Sequence, residues 1–183
     1  LLAVHRSNFR LAGFTYEPKL EELVELGAKH ALPVIHDLGS GALLDTAQFG
    51  LAHEPTVQES LGAGVALVCF SADKLLGGPQ GGIILGKAEL IAQLKSHPTT
   101  RALRVDKLTL SALEATLHHY LTGEALTEVP IWRMIATPLE KLEARAQHWA
   151  AELKALGVQA EVREGESTVG GGSLPGEVLP TWV

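Results

Sequence analysis

Lys74 and Asp37 are the residues of this sequence whose types and settings suit covalent and acid–base chemistry. Lys74 stands in Ser71-Ala72-Asp73-Lys74-Leu75-Leu76-Gly77-Gly78-Pro79-Gln80-Gly81-Gly82. The apolar run Val65–Phe70 precedes this stretch and Ile83–Gly86 follows it, and runs of this length read as buried strands. The glycines and the proline open backbone conformations closed to other residues and let a ligand come close. A lysine in such a turn is equally well a solvated tip. A second stretch, Pro33-Val34-Ile35-His36-Asp37-Leu38-Gly39-Ser40-Gly41, shifts the balance, because another apolar strand ends there in a charged residue and a glycine turn. In open parallel sheets ligands sit beyond the carboxyl ends of the strands, so Asp37 and Lys74 face one crevice from two strands. An aspartate beside a ring nitrogen and a lysine able to form a Schiff base are what pyridoxal 5'-phosphate requires. The aspartate keeps the pyridine nitrogen protonated; the lysine holds the aldehyde carbon and later moves protons.

Arg101 and Arg104 form a second charged pair. Their spacing of three puts them on one face of a helical turn, and two guanidinium forks suit a tetrahedral oxyanion. The plain alternative is a surface salt-bridge pair. His36, His118 and His119 read as packing or surface residues, and no His/Cys spacing forms a metal pattern. The glycine stretch is not a phosphate-binding loop of the Gly-Lys-Ser/Thr type, and no G-x-G-x-x-G opens a helix after the first strand.

The elements that must position these residues follow from periodicity. Leu1–His5 reads as a strand with Ser7–Arg10 as the loop after it, Pro18–His30 as a helix, and Leu32–Ile35 as the next strand. Asp45–Pro55 is polar loop, Val57–Ala63 a short helix, and a strand ends at Phe70. This alternation predicts a mostly parallel sheet with helices on both faces. Lys87–Lys95 and Leu108–Leu121 are helix candidates, with His97-Pro98 ending the first. Thr137-Pro138-Leu139-Glu140 has the form of a capped helix start, the helix running to about Leu156 with Gly157 as its stop. Val158–Val162 is expected as a strand opening a smaller α/β domain. The domain expectation is 1–130 for the cofactor-binding half and 131–183 for a linking helix and part of that smaller domain.

The 183 residues are 46% hydrophobic, enough for a sizeable core, and no run reaches the roughly 18 apolar residues of a membrane span. The only cysteine, Cys69, lies in an expected buried strand and reads as a packed thiol. No leader peptide is expected at Leu1, and the reading is cytoplasmic. Net charge is −6, so a nucleic-acid partner would not use this segment as its main electrostatic platform. A start on a strand-like run without methionine reads as the later part of a longer protein.

Four stretches together resemble one family. His5-Arg6-Ser7-Asn8-Phe9-Arg10, Asp37-Leu38-Gly39-Ser40-Gly41, the lysine stretch, and Thr100-Arg101-Ala102-Leu103-Arg104-Val105-Asp106-Lys107 are similar to bacterial L-seryl-tRNA(Sec) selenium transferases (selenocysteine synthases). The likeness extends to Gly170-Gly171-Gly172-Ser173-Leu174-Pro175-Gly176. It implies a fold-type I pyridoxal phosphate enzyme that converts seryl-tRNA(Sec) to selenocysteinyl-tRNA(Sec) with selenophosphate, through a dehydroalanyl intermediate. It further implies Lys74 as the cofactor lysine, with Asp73 beside the chemistry and assisting loss of the serine hydroxyl. Asp37, Ser71 and Asn8 are implied as contacts to ring nitrogen, phosphate and phenolic oxygen, and Arg101 and Arg104 as the receivers of selenophosphate. Self-association as dimers, and a ring of dimers, is implied as well, with no membrane and no metal. Members of the family carry the ring-stacking residues, most phosphate contacts and a tRNA-binding region upstream of the part matched here. The alternatives are another fold-type I enzyme, desulfurase-like or lyase-like, or an inactive fragment with only an assembly role.

Overall fold

A computed structural model describes residues 1–183. Its centre is a four-stranded sheet in the order β1 (Leu2–Val4), β2 (Ile35–Gly39), β3 (Leu67–Ser71), β4 (Gly82–Gly86). The first two pairings are parallel and β3–β4 is antiparallel, so the sheet is mostly parallel. Parallel neighbours need crossovers, supplied by α1 (Leu20–Lys29) and by α2 (Val57–Gly62). Thr56 starts α2 with a reciprocal cap: its hydroxyl accepts from Glu59 N at 3.2 Å, and the Glu59 carboxylate accepts from Thr56 N at 2.7 Å.

Side chains alternate across the sheet. His36 and Leu38 of β2 and Val68 and Phe70 of β3 are buried, packing with Val57, Leu76 and the α1 side chains Leu20 and Leu23. The opposite face carries Val4, Asp37 and Ile84, all exposed, with Cys69 half-buried between them. In the buried face the His36 Nδ1–H donates to Ser60 Oγ at 3.0 Å, because the Ser60 hydroxyl is itself donating to Thr56 O.

Beyond β4 come α3 (Ala88–Ser96), α4 (Pro98–Ala102), α5 (Lys107–Leu121), α6 (Ala125–Glu128), α7 (Pro130–Ile135) and α8 (Leu139–Ala155). The stop at Gly157, with φ +80°, is as expected. Trp132 is fully buried in a second core with Ala42, Leu51, Leu75, Val129 and Leu174. No helix is long and apolar enough to cross a membrane.

Three local expectations are corrected. Thr137 does not cap α8: its hydroxyl donates back to Arg133 O at 2.6 Å, the alternative bond open to a threonine at a helix end, and Pro138 takes the cap position. Val158–Val162 is not a strand; it has no neighbour to pair with, and Val158 is exposed. The strand begins instead at β5 (Glu164–Thr168), where β6 (Val178–Trp182) lies antiparallel to it, Glu164 opposite Trp182. Finally, Arg101 and Arg104 do not share a helical face. The α4 helix ends at Ala102, and Asp106 caps a new helix by accepting from Thr109 N at 2.9 Å, leaving Arg104 in the turn between.

Candidate active site

The lysine turn is anchored by hydrogen bonds on every side. Ala72 N donates to Gly81 O and Gly78 N to Ala72 O, both at 2.8 Å, and Gly77 N donates to Lys74 O at 2.9 Å. Leu75 N donates to Ser40 O at 2.9 Å, which ties this turn to the one after β2. The Tyr120 hydroxyl donates to Leu76 O at 2.8 Å and accepts from Trp132 Nε1 at 2.6 Å. Burial pushes the Tyr120 hydroxyl's pKa well up, so it remains a donor. Leu75 and Leu76 are buried. Lys74 thus stands half-exposed beside two buried leucines on a hydrogen-bonded turn.

Glycine backbone surrounds the amine. A Cβ on Gly39 (φ +73°) would lie 3.7 Å from Lys74 Nζ and 3.2 Å from Ser7 Oγ. A Cβ on Gly172 (φ +86°) would lie 2.6 Å from Lys74 Cε and 2.8 Å from Nζ. The last residue of β2 and the β5–β6 loop therefore both lie beside the end of this side chain. The amine makes no hydrogen bond and no ion pair within the protein. Asp73 and Lys74 border a cleft of about 370 Å³ lined also by Gly78, Ile131, Met134 and Gly171.

Asp37 lies on the exposed sheet face, opposite Val4 on one side and Cys69 on the other. Burial raises the Cys69 thiol's pKa, and the nearby Asp37 charge raises it further. Ser71, two residues beyond Cys69 on the same strand and so on the same face, is half-buried at the carboxyl end of β3, opposite Gly82. Asn8 is exposed in the loop after β1; its neighbour Ser7, which sequence reasoning passed over, is the buried residue against Gly39.

Arg101 and Arg104 are exposed and pair with no carboxylate, so the salt-bridge alternative is not what the fold builds. The segment that carries them reaches the lysine stretch at its far end. A Cβ on Gly81 would meet Val105 Cγ1 at 3.7 Å and Thr109 Cγ2 at 3.9 Å. No group of three or more His, Cys, Asp or Glu side chains is placed to hold a metal.

Two observations fit an aldehyde-bearing anionic cofactor. One is a half-buried, unpaired amine at the carboxyl ends of parallel strands. The other is the Ser40 hydroxyl, fully buried in the adjoining turn without any partner in the protein and free to donate.

Along residues 1–183 the chain matches the family described as SelA, L-seryl-tRNA selenium transferase. It is 50% identical over 185 aligned residues to the L-seryl-tRNA(Sec) selenium transferase of Carboxydothermus hydrogenoformans, and 53% identical over 186 to that of Alkaliphilus metalliredigens. Each alignment covers 100% of this chain and 40% of the relative, so the chain spans about 40% of the length of the curated relatives it matches. Among solved structures, D-glucosaminate-6-phosphate ammonia-lyase superposes with a TM-score of 0.62 at 19% identity, covering 95% of this chain and 39% of that one. That superposition shares the fold.

Proposed function

The chain belongs to the L-seryl-tRNA selenium transferase family, and we propose that the intact protein converts seryl-tRNA(Sec) to selenocysteinyl-tRNA(Sec) with selenophosphate. The observation that carries this reading is the Lys74 amine, unpaired and set between the Gly39 and Gly172 backbones where β2 and β3 end. Pyridoxal phosphate, when bound, supplies an electron sink for the substrate's α-carbon. Lys74 Nζ would hold its aldehyde carbon and later move protons. The Asp37 carboxylate would hold a proton at the ring nitrogen. Ser71 would donate to the phosphate and Asn8 to the phenolic oxygen. The Asp73 carboxyl, beside Lys74 at the cleft, assists departure of the serine hydroxyl as water. Arg101 and Arg104, with no carboxylate of their own, would receive the selenophosphate anion; selenium adds to the β-carbon, and water cleaves its bond to phosphorus so that phosphate leaves. In this reading residues 1–130 belong to the cofactor-binding half, and 131–183 lead into a smaller domain. The intact protein works in the cytoplasm as an oligomer built from dimers.

The test joins cofactor to substrate. The intact protein is incubated with pyridoxal phosphate, reduced with borohydride and peptide-mapped; the pyridoxyl group is expected on Lys74. The same protein is expected to make selenocysteinyl-tRNA(Sec) only when selenophosphate is supplied. A label on Lys87, Lys95 or Lys107 instead overturns the site, and turnover independent of selenophosphate overturns the reaction.

A further inference from the structure

The loop between β5 and β6, residues Val169–Glu177, is built to stay where it is. Leu174 is buried in the second core although its φ is +48°, a conformation unfavourable for a leucine. Glu177 accepts from Ala52 N at 2.8 Å and from Arg10, and these two bonds hold its pKa below the usual carboxylate range. Two residues before Leu174, the buried Gly172 backbone lies against the last two atoms of the Lys74 side chain.

Resting on the cofactor role of Lys74 argued above, we propose that Gly172 is a positioning residue for that lysine. Its bare backbone forms the wall that aims Nζ toward the Gly39 turn, and any side chain at 172 displaces the amine. The geometry decides which partner gives way. A Cβ at 172 would come within 2.6 Å of Lys74 Cε and 2.8 Å of Nζ, closer than real Cβ contacts, and within 3.0 Å of Cδ. Those atoms are the free end of a flexible chain, whereas the loop is pinned at Leu174 and Glu177. The lysine moves and the loop stays. Gly170 and Gly171 form no such wall, since a Cβ on either meets nothing within 4 Å.

Gly170 also supplies the control, because its φ of +120° disfavours alanine as the +86° of Gly172 does, without the lysine contact. In the intact protein, Gly172→Ala and Gly170→Ala are compared by two measurements. The first is competitive acetylation of the apoprotein, with Lys74 read against the exposed Lys87 by mass spectrometry. The second is the rate at which pyridoxal phosphate and borohydride label Lys74. Gly172→Ala is expected to raise Lys74 acetylation severalfold and to slow its pyridoxyl labelling about a hundredfold, the cost of a roughly 1 Å misplacement of a reacting atom. Gly170→Ala is expected to match the wild type in both measurements. Equal acetylation and labelling in the two variants overturns the proposal. If Gly172→Ala does not fold, recovery of folding in Gly172→Ala/Lys74→Ala supports the contact, and no recovery overturns it. A wild type that never labels at Lys74 refutes the cofactor role, while the acetylation ratio still decides the contact.

Discussion

Gly41 is where the aspartate turn and the lysine turn press on each other, and replacing it by alanine tests whether the site is built on that contact. Its φ is +67°, and a Cβ would stand 2.8 Å from both Phe70 Cδ2 and Ser71 O. The left-handed backbone costs a non-glycine residue about 1–2 kcal/mol. Overlap with a buried ring and a backbone oxygen adds about 1–3 kcal/mol, as overpacked cores do. Gly50 separates these contributions, because its φ is +79° and a Cβ there meets nothing within 4 Å. Gly50→Ala is therefore expected to cost only the backbone share, about 1–2 kcal/mol, and Gly41→Ala about 2–5 kcal/mol. Urea unfolding of the intact proteins at equal subunit concentration measures both, with the slope checked for constancy. Because Ser71 O begins the lysine turn, Gly41→Ala is also expected to slow pyridoxyl labelling of Lys74. A Gly41→Ala midpoint no lower than that of Gly50→Ala would refute the reasoning.

Further outcomes follow from the other named groups. Asp37→Asn in the intact protein is expected to keep the cofactor and slow water elimination by roughly 10²–10³, the usual loss for a missing charge-stabilising contact. The same variant should lower the pH at which Cys69 is alkylated only partway, since burial is the larger cause of its raised pKa. Arg101→Lys and Arg104→Lys keep charge but lose the planar fork, so the KM for selenophosphate should rise while water elimination persists; wild-type efficiency in both would move the donor site elsewhere. Burial, with a smaller contribution from His5, holds the His36 pKa below its ordinary value. Its contribution to stability is therefore complete above the unfolded-state pKa of about 6.5 and is lost as pH falls through the lower folded value. His36→Gln should flatten that acid limb of the unfolding midpoint measured against pH.

What could be read in advance was whatever local pattern decides. The helices α1 and α5 follow from apolar spacing, and Lys74 stands out because it follows the end of β3, whereas Asp37, read as a strand end, lies in the middle of β2. The Glu164–Thr168 strand is different: Glu-Gly-Glu-Ser-Thr has no apolar alternation, and only pairing with Val178–Trp182 makes it β structure. Val158–Val162 shows the reverse, a good pattern without a partner strand. The helix break at Leu103 was hidden by the tidy spacing of Arg101 and Arg104; the signal that decided it was the cap at Asp106. The Gly172 wall was out of reach for a third reason. Three glycines in a row were visible, but their contact with Lys74 depends on where the whole hairpin docks.

The two principal groups of the proposed site differ in their surroundings, and the difference bears on the proposed reaction. Lys74 is half-covered by turns of this chain, whereas Asp37 sits on the exposed face of the sheet. A carboxylate that holds a proton on a ring acts through charge, and solvent sets the strength of that action. Two unit charges about 4 Å apart attract by about 1 kcal/mol in water and about 4 kcal/mol at an effective dielectric of 20. The gap of about 3 kcal/mol corresponds to roughly a hundredfold in rate. Covering the Asp37 face is thus worth about as much as placing the carboxylate there. The relatives, of which this chain spans about 40%, have the additional length to do so. Lys74 labelling should then depend chiefly on the turns described here, and the rate of elimination on what closes over Asp37.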